Sequence, residues 1–166
     1  MRVFLVTLLL FFFTVGVRVE AEHSVLLHAG IELSEMLPDE FFGGWRISSN
    51  LIETNAQGFF KRENVDLWNI SRKNNVITLN NPFSGANASI LIKEINDNKI
   101  VFEKNGVYDN KKLNDVVEIY LDGDSFRGYN YIEFVTVSDV DGRVMEIQTA
   151  KYSLSGDKIS GDNVFE

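Results

Sequence analysis

The chain has 166 residues, 45% hydrophobic and 24% charged, with a formal net charge of −8 and no cysteine. At roughly 100–200 residues per domain it is expected to close a single core. The missing cysteine excludes disulfides, thiolate nucleophiles, Cys-based zinc sites, iron–sulfur clusters and a cysteine-linked lipid anchor, and the acidic balance argues against a nucleic-acid partner.

Arg2 precedes VFLVTLLLFFFTVGV (residues 3–17), an uncharged apolar run that Arg18 ends. A spanning helix wants about 20 such residues, whereas the apolar region of a signal peptide wants about 7–15. Val19-Glu20-Ala21 then offers small residues at the two positions a signal peptidase reads. Residues 1–21 are therefore expected to be a signal peptide, cut before Glu22. Its removal lowers the basic count from 16 to 14 and the acidic count from 24 to 23, leaving −9. The expected location is the periplasm or the exterior, with no stable membrane anchor after cleavage.

Residues 22–42 form an N-terminal segment with short helical turns. Ser34 reads as an N-cap, Pro38 suits a first helical turn ahead of Asp39 and Glu40, and Gly43-Gly44 stops the helix. From Trp45 onward the pattern changes to short β-type runs separated by Asn, Asp and Gly. A first strand covers 44–54, with Trp45, Ile47 and Leu51 on one face. Residues 59–70 and 76–79 make a hairpin around 72–75, and residues 89–95 and 99–104 make another around 96–98. Residues 116–121 alternate, with Val117, Ile119 and Leu121 on one face and Glu118 and Tyr120 on the other. Turns at Asp122-Gly123-Asp124 and Asp141-Gly142 lead into strands over 126–137 and 143–154, and residues 158–160 close the pattern. No stretch after Trp45 supplies a crossover helix, so a parallel βαβ sheet is excluded. The expected fold is all-β, an antiparallel meander of about eight strands over residues 43–166.

Pro38-Asp-Glu-Phe-Phe-Gly-Gly-Trp45 resembles the entry to a lipocalin-like (calycin-type) barrel, where a short helical turn leads into a Gly-x-Trp motif on the first strand. Tyr152-Ser-Leu-Ser-Gly-Asp-Lys-Ile-Ser-Gly161 resembles the closing strands of bacterial lipocalin-like domains. The family's mid-barrel Thr-Asp-Tyr triplet has no counterpart. The resemblance implies that the meander closes into a barrel, that Trp45 plugs one end, and that a late arginine, Arg127 or Arg143, packs across it.

Chemistry is sparse. His23 and His28 precede the β region and lie five residues apart, the wrong spacing for two ligands on one helical face, and read as tail residues. Asp139-Val-Asp141-Gly142 fails the EF-hand pattern, since its glycine falls fourth rather than sixth and Ala150 stands where the bidentate Glu belongs. These aspartates read as hairpin turns, and no metal or cofactor is expected. Glu94, Glu103, Glu118, Glu133 and Glu146 lie within strands, where a half-solvated sheet scatters such residues over its wet face. Asn69-Ile-Ser71 and Asn87-Ala-Ser89 match the N-glycosylation sequon, which matters only in a eukaryotic source.

The aromatics are more suggestive. Trp68, Tyr120, Tyr129 and Tyr131 lie in mid-strand, several beside polar neighbours, as in cavities that hold small apolar ligands. They are the candidate ligand-binding residues, although aromatics at such positions also fill solid cores. Three readings stay open. The first is an exported lipocalin-like module that binds a small apolar or amphipathic ligand. The second is a filled barrel or sandwich serving as an interaction domain of the cell envelope. The third, and least favoured, is an enzyme with a carboxylate pair.

Overall fold

A computed structural model describes residues 33–161 apart from 74 and 83, together with 164 and 165. The expected signal peptide, its cleavage site, His23 and His28 lie outside the described residues. After a 3-10 turn (Asp39–Phe41) the chain is strand upon strand. These are β1 (Gly43–Thr54), β2 (Glu63–Lys73), β3 (Val76–Asn80), β4 (Asn87–Asn96), β5 (Lys99–Tyr108), β6 (Lys111–Asp122), β7 (Ser125–Val137), β8 (Val144–Ser160) and the two-residue β9 (Val164–Phe165).

Each strand from β1 to β8 pairs antiparallel with the next, and β1 also pairs antiparallel with β8. Eight antiparallel strands therefore form a ring, to which β9 adds a short parallel pairing at Arg72 and Lys73 of β2. The tight turns are set by residues that tolerate positive φ. Asn75, Asp97 and Asp109 have φ of 62°, 51° and 53°, and Gly123 has 55°.

Alternation decides which face is buried. In β6 the side chains of Asp115, Val117, Ile119 and Leu121 point inward, while Glu118 and Tyr120 point out. Strands outgrow the runs legible in the sequence in two places. β5 runs on to Tyr108 and β6 starts at Lys111, joined by the turn Asp109-Asn110, so the residues between the expected runs 99–104 and 116–121 form a hairpin. Residues 158–160 are not a separate strand but the end of the 17-residue β8. In the opposite sense, residues 59–62 leave the sheet, and β2 begins only at Glu63.

One end of the ring is filled. Phe41, Phe42, Trp45 and Phe102 are at most 1% exposed and Phe126 is 2%. Their rings meet edge-on or tilted, with centroids 5.1 Å apart for Trp45–Phe126 and 5.9 Å for Phe41–Phe102. The 3-10 turn lies against this end because the indole Nε1 of Trp45 donates to the Phe41 carbonyl at 3.0 Å. Gly43 makes the bend at φ 119°, and a Cβ there would fall 2.4 Å from the Gly161 carbonyl oxygen. Ser34, expected as a cap, instead falls inside a helical turn (33–35), where its carbonyl accepts from Arg72 Nη1 at 3.1 Å.

Neither candidate arginine packs over Trp45. Arg127 follows inward-facing Phe126, so period two turns it to the outside, and Arg143 sits in the turn before β8 beside Asp141. Lys158 takes the position instead. Its ammonium lies 5.6 Å from the Trp45 ring centre and donates to the Glu40 carbonyl at 3.0 Å, tying β8 to the 3-10 turn.

Candidate ligand cavity

Away from the filled end, the inward faces of the strands and the loop over residues 55–62 line a half-open cavity of about 460 Å³. Trp68 forms its floor. Its ring stacks against Phe126 at 6.2 Å and meets Phe102 edge-on at 6.1 Å, so it stands between the packed core and the open space. Ile47, Ile132 and Leu154 supply apolar wall, and Phe59, Phe60 and Phe134 gather at the mouth with centroids 4.9–6.2 Å apart.

The loop over residues 55–62 brings Phe59 and Phe60 to that mouth, and specific bonds hold it there. The Leu51 amide donates to the Arg62 carbonyl at 2.8 Å. Asn55 clamps β8, donating from Nδ2 to the Ile147 carbonyl at 2.9 Å and accepting from the Thr149 amide at 2.7 Å. The Tyr152 hydroxyl donates to the Lys61 carbonyl at 2.9 Å, and burial pushes that phenol above its ordinary pKa. Beyond the backbone bond at Arg62, side-chain anchors from Asn55 and Tyr152 take the place of sheet pairing over this stretch.

The polar lining is concentrated near Trp68. Lys104 and Asp115 are register partners on β5 and β6 and both face inward. They form an ion pair at 2.8 Å with side chains only 15% and 9% exposed, and the Lys104 ammonium also lies 5.1 Å from the Trp68 ring centre. Asn130 points inward from β7 and is 8% exposed. Asp66 accepts from the Leu67 amide and from Asn81 Nδ2. Among the described residues, no group donates to Asp115 Oδ1 or to Asn130 Oδ1, both fully buried. Buried acceptors of this kind nearly always have a partner, and within the cavity lining these two lack one, as Thr136 Oγ1 and Gln148 Oε1 do elsewhere. A smaller depression of about 230 Å³ shares Asp66, Trp68, Lys104 and Asp115 and extends toward Asn81 and Leu113.

Of the four candidate residues, only Trp68 lines the cavity. Tyr120, Tyr129 and Tyr131 are 41%, 38% and 41% exposed on the outer face, because Ile119 and Leu121 take the inward positions of β6, and Phe126, Gly128 and Asn130 those of β7. The Tyr120 hydroxyl donates to Glu118 at 3.0 Å, which raises the phenol's pKa. Tyr129 and Tyr131 flank the Lys151 ammonium at 4.8 and 5.0 Å. The expected grouping of all four does not form. The aromatic lining comes instead from Trp68, Phe59, Phe60, Phe134 and Tyr152.

The glutamates do not gather in the cavity either. Lys99 bridges Glu94 and Glu118 at 3.2 and 3.5 Å, and Lys93 meets Glu103 at 3.3 Å. A hydrogen bond from Asn105 is the main influence holding the Glu103 carboxyl below its ordinary pKa. Among the described residues, no three His, Cys, Asp or Glu side chains come together as a metal site, and no helix is long and apolar enough to cross a membrane. No family model matches the chain, and neither does any curated protein or solved structure.

Proposed function

We propose that the protein is an exported, lipocalin-like binding module that holds one small amphipathic molecule inside its ring of strands. One observation carries this reading: a cavity of about 460 Å³ with an aromatic floor and mouth and a few buried polar groups. Small-molecule sites have that size and that mixture of broad apolar wall and sparse polar contacts. An eight-stranded ring has an interior that side chains fill or that holds one small ligand, and here a cavity remains beyond the most fully buried aromatics at the Trp45 end. The 3-10 turn leading through Gly43-Gly44 into Trp45 at that end supports the lipocalin likeness. The apolar run in residues 3–17 supports export.

The test is titration of the mature protein with an environment-sensitive naphthalene dye and a panel of fatty acids, fatty alcohols and retinoid-like compounds. Saturable dye emission, displaced by members of the panel, is expected. Ile132→Trp places a larger ring in the cavity wall and should weaken dye binding about tenfold or more while the protein stays folded. Absence of saturable binding across the panel would leave the interaction-domain reading, which the exposed tyrosines of β6 and β7 would then support.

A further inference from the structure

We propose that the cavity selects molecules whose polar end is a neutral hydroxyl, its proton accepted by Asp115 Oδ1 or Asn130 Oδ1, over carboxylates of the same chain length. The inference rests on the cavity being a ligand site and adds which chemistry that site takes.

The acceptors define the headgroup. Asp115 and Asn130 are 6% and 8% exposed, both line the cavity, and each carries a fully buried oxygen to which no described group donates. An ionised carboxylate oxygen is purely an acceptor, so whatever meets Asp115 Oδ1 must bring a proton. The register places Asp115 opposite Ile132 and Val117 opposite Asn130, which makes the two residues diagonal neighbours on adjacent strands. Diagonal positions of this kind are about 7–8 Å apart, near enough for the two hydroxyls of a vicinal diol to serve both, while a single hydroxyl donates its one proton to either.

Charge then separates a neutral donor from an ion. The cavity is lined by two lysines, Lys61 and Lys104, and two aspartates, Asp66 and Asp115, so the net charge of the lining is zero. Lys104, the cation beside Trp68, is already committed to Asp115 at 2.8 Å. A carboxylate at Lys104 would have to share that ammonium with Asp115, bringing a second negative charge to one cation already paired in a largely buried position. An ammonium would find only the Asp66 carboxylate outside the ion pair, and that group already accepts from the Leu67 amide and Asn81 Nδ2. A hydroxyl satisfies an orphaned acceptor and leaves the ion pair intact.

The experiment uses 1-decanol, decanoate and decylammonium below their aggregation limits, each displacing the naphthalene dye at neutral pH. Decanol is expected to bind tightest. Because an alcohol also leaves water more readily than an ion, the deciding quantity is how the decanol-to-decanoate affinity ratio changes on mutation. Asn130→Leu removes one acceptor and should reduce the ratio about threefold to tenfold. Asp115→Asn frees the Lys104 ammonium and should shift the ratio toward decanoate by about tenfold or more. Thermal unfolding verifies that each variant is folded. Should Asp115→Asn fail to fold, the wild-type series and Asn130→Leu still decide.

An unchanged ratio in the folded variants, or either ion binding wild-type protein as tightly as decanol, would overturn the inference and leave the binding-module reading standing. If the dye and all three decyl compounds fail to bind, the binding-module reading itself falls.

Discussion

Replacing Trp45 with alanine is expected to destabilise the protein by about 3–5 kcal/mol, the range for deleting a large buried aromatic. Trp45 is 1% exposed, touches Phe126 at 5.1 Å, and donates its indole proton to the Phe41 carbonyl. Its removal opens a void among Phe41, Phe42 and Phe126 and takes away the bond that holds the 3-10 turn against the end of the ring. Lys158 loses the aromatic face beneath its ammonium as well. The neighbours cannot readily close the gap, because β1 is held by both β2 and β8. Urea denaturation of wild type and variant measures the difference. A loss below about 1 kcal/mol would mean that the filled end does not depend on Trp45.

Gly128→Ala is expected to be comparably severe for a different reason, at about 3 kcal/mol or more. An ideal Cβ on Gly128 falls 1.9 Å from the Glu118 carbonyl oxygen and 2.8 Å from the Ile119 Cα. Both obstacles are backbone atoms of β6, in the register that pairs Ile119 with Gly128. No rotamer change relieves such a clash, so the two strands must part locally and give up ladder hydrogen bonds. Gly156 is a useful contrast. Its Cβ would meet the Phe126 ring at 2.3 Å, a side-chain obstacle that can shift if Trp45 and Trp68 yield. Equilibrium unfolding should therefore rank Gly128→Ala as at least as damaging as Gly156→Ala. The reverse order would show that β6 and β7 separate more easily than the aromatic core rearranges.

The architecture was largely legible because one face of each strand is apolar. Val117, Ile119 and Leu121 announce the inward face of β6, and Asp97 and Gly123 announce turns. The cavity was less legible because its decisive residues break the apolar code. Extending the β6 alternation backwards reaches Asp115, and extending Ile100 and Phe102 forwards reaches Lys104. A charge at an inward position reads as the end of a strand until its partner across the ladder is known. The tyrosines misled for the complementary reason. In β7 the inward positions include Gly128 and Asn130, while the large rings of Tyr129 and Tyr131 face outward and flank the Lys151 ammonium. Side-chain size alone therefore favours the wrong face. Phe59 and Phe60 were visible as aromatics, but their role at the mouth depends on anchors such as Asn55 to Ile147, contacts between distant segments that no local pattern encodes.

The pairing of β1 with β8 also has a consequence for the order in which the chain acquires its shape. Ser48 faces Val65 on one side and Ser155 on the other. The seven pairings between consecutive strands join neighbours in sequence and can form as each strand emerges. The eighth closes a loop of nearly the whole sheet, the kind of distant contact whose entropy is lost long before it is repaid in hydrogen bonds. Until β8 arrives, β1 presents a row of unmatched amide and carbonyl groups, an invitation to any other strand in reach. A chain halted before β8 would carry two such open edges, one on β1 and one on β7. Completion of the last strand thus marks the change from an adhesive ribbon to a ring in which β1 and β7 are each paired on both sides.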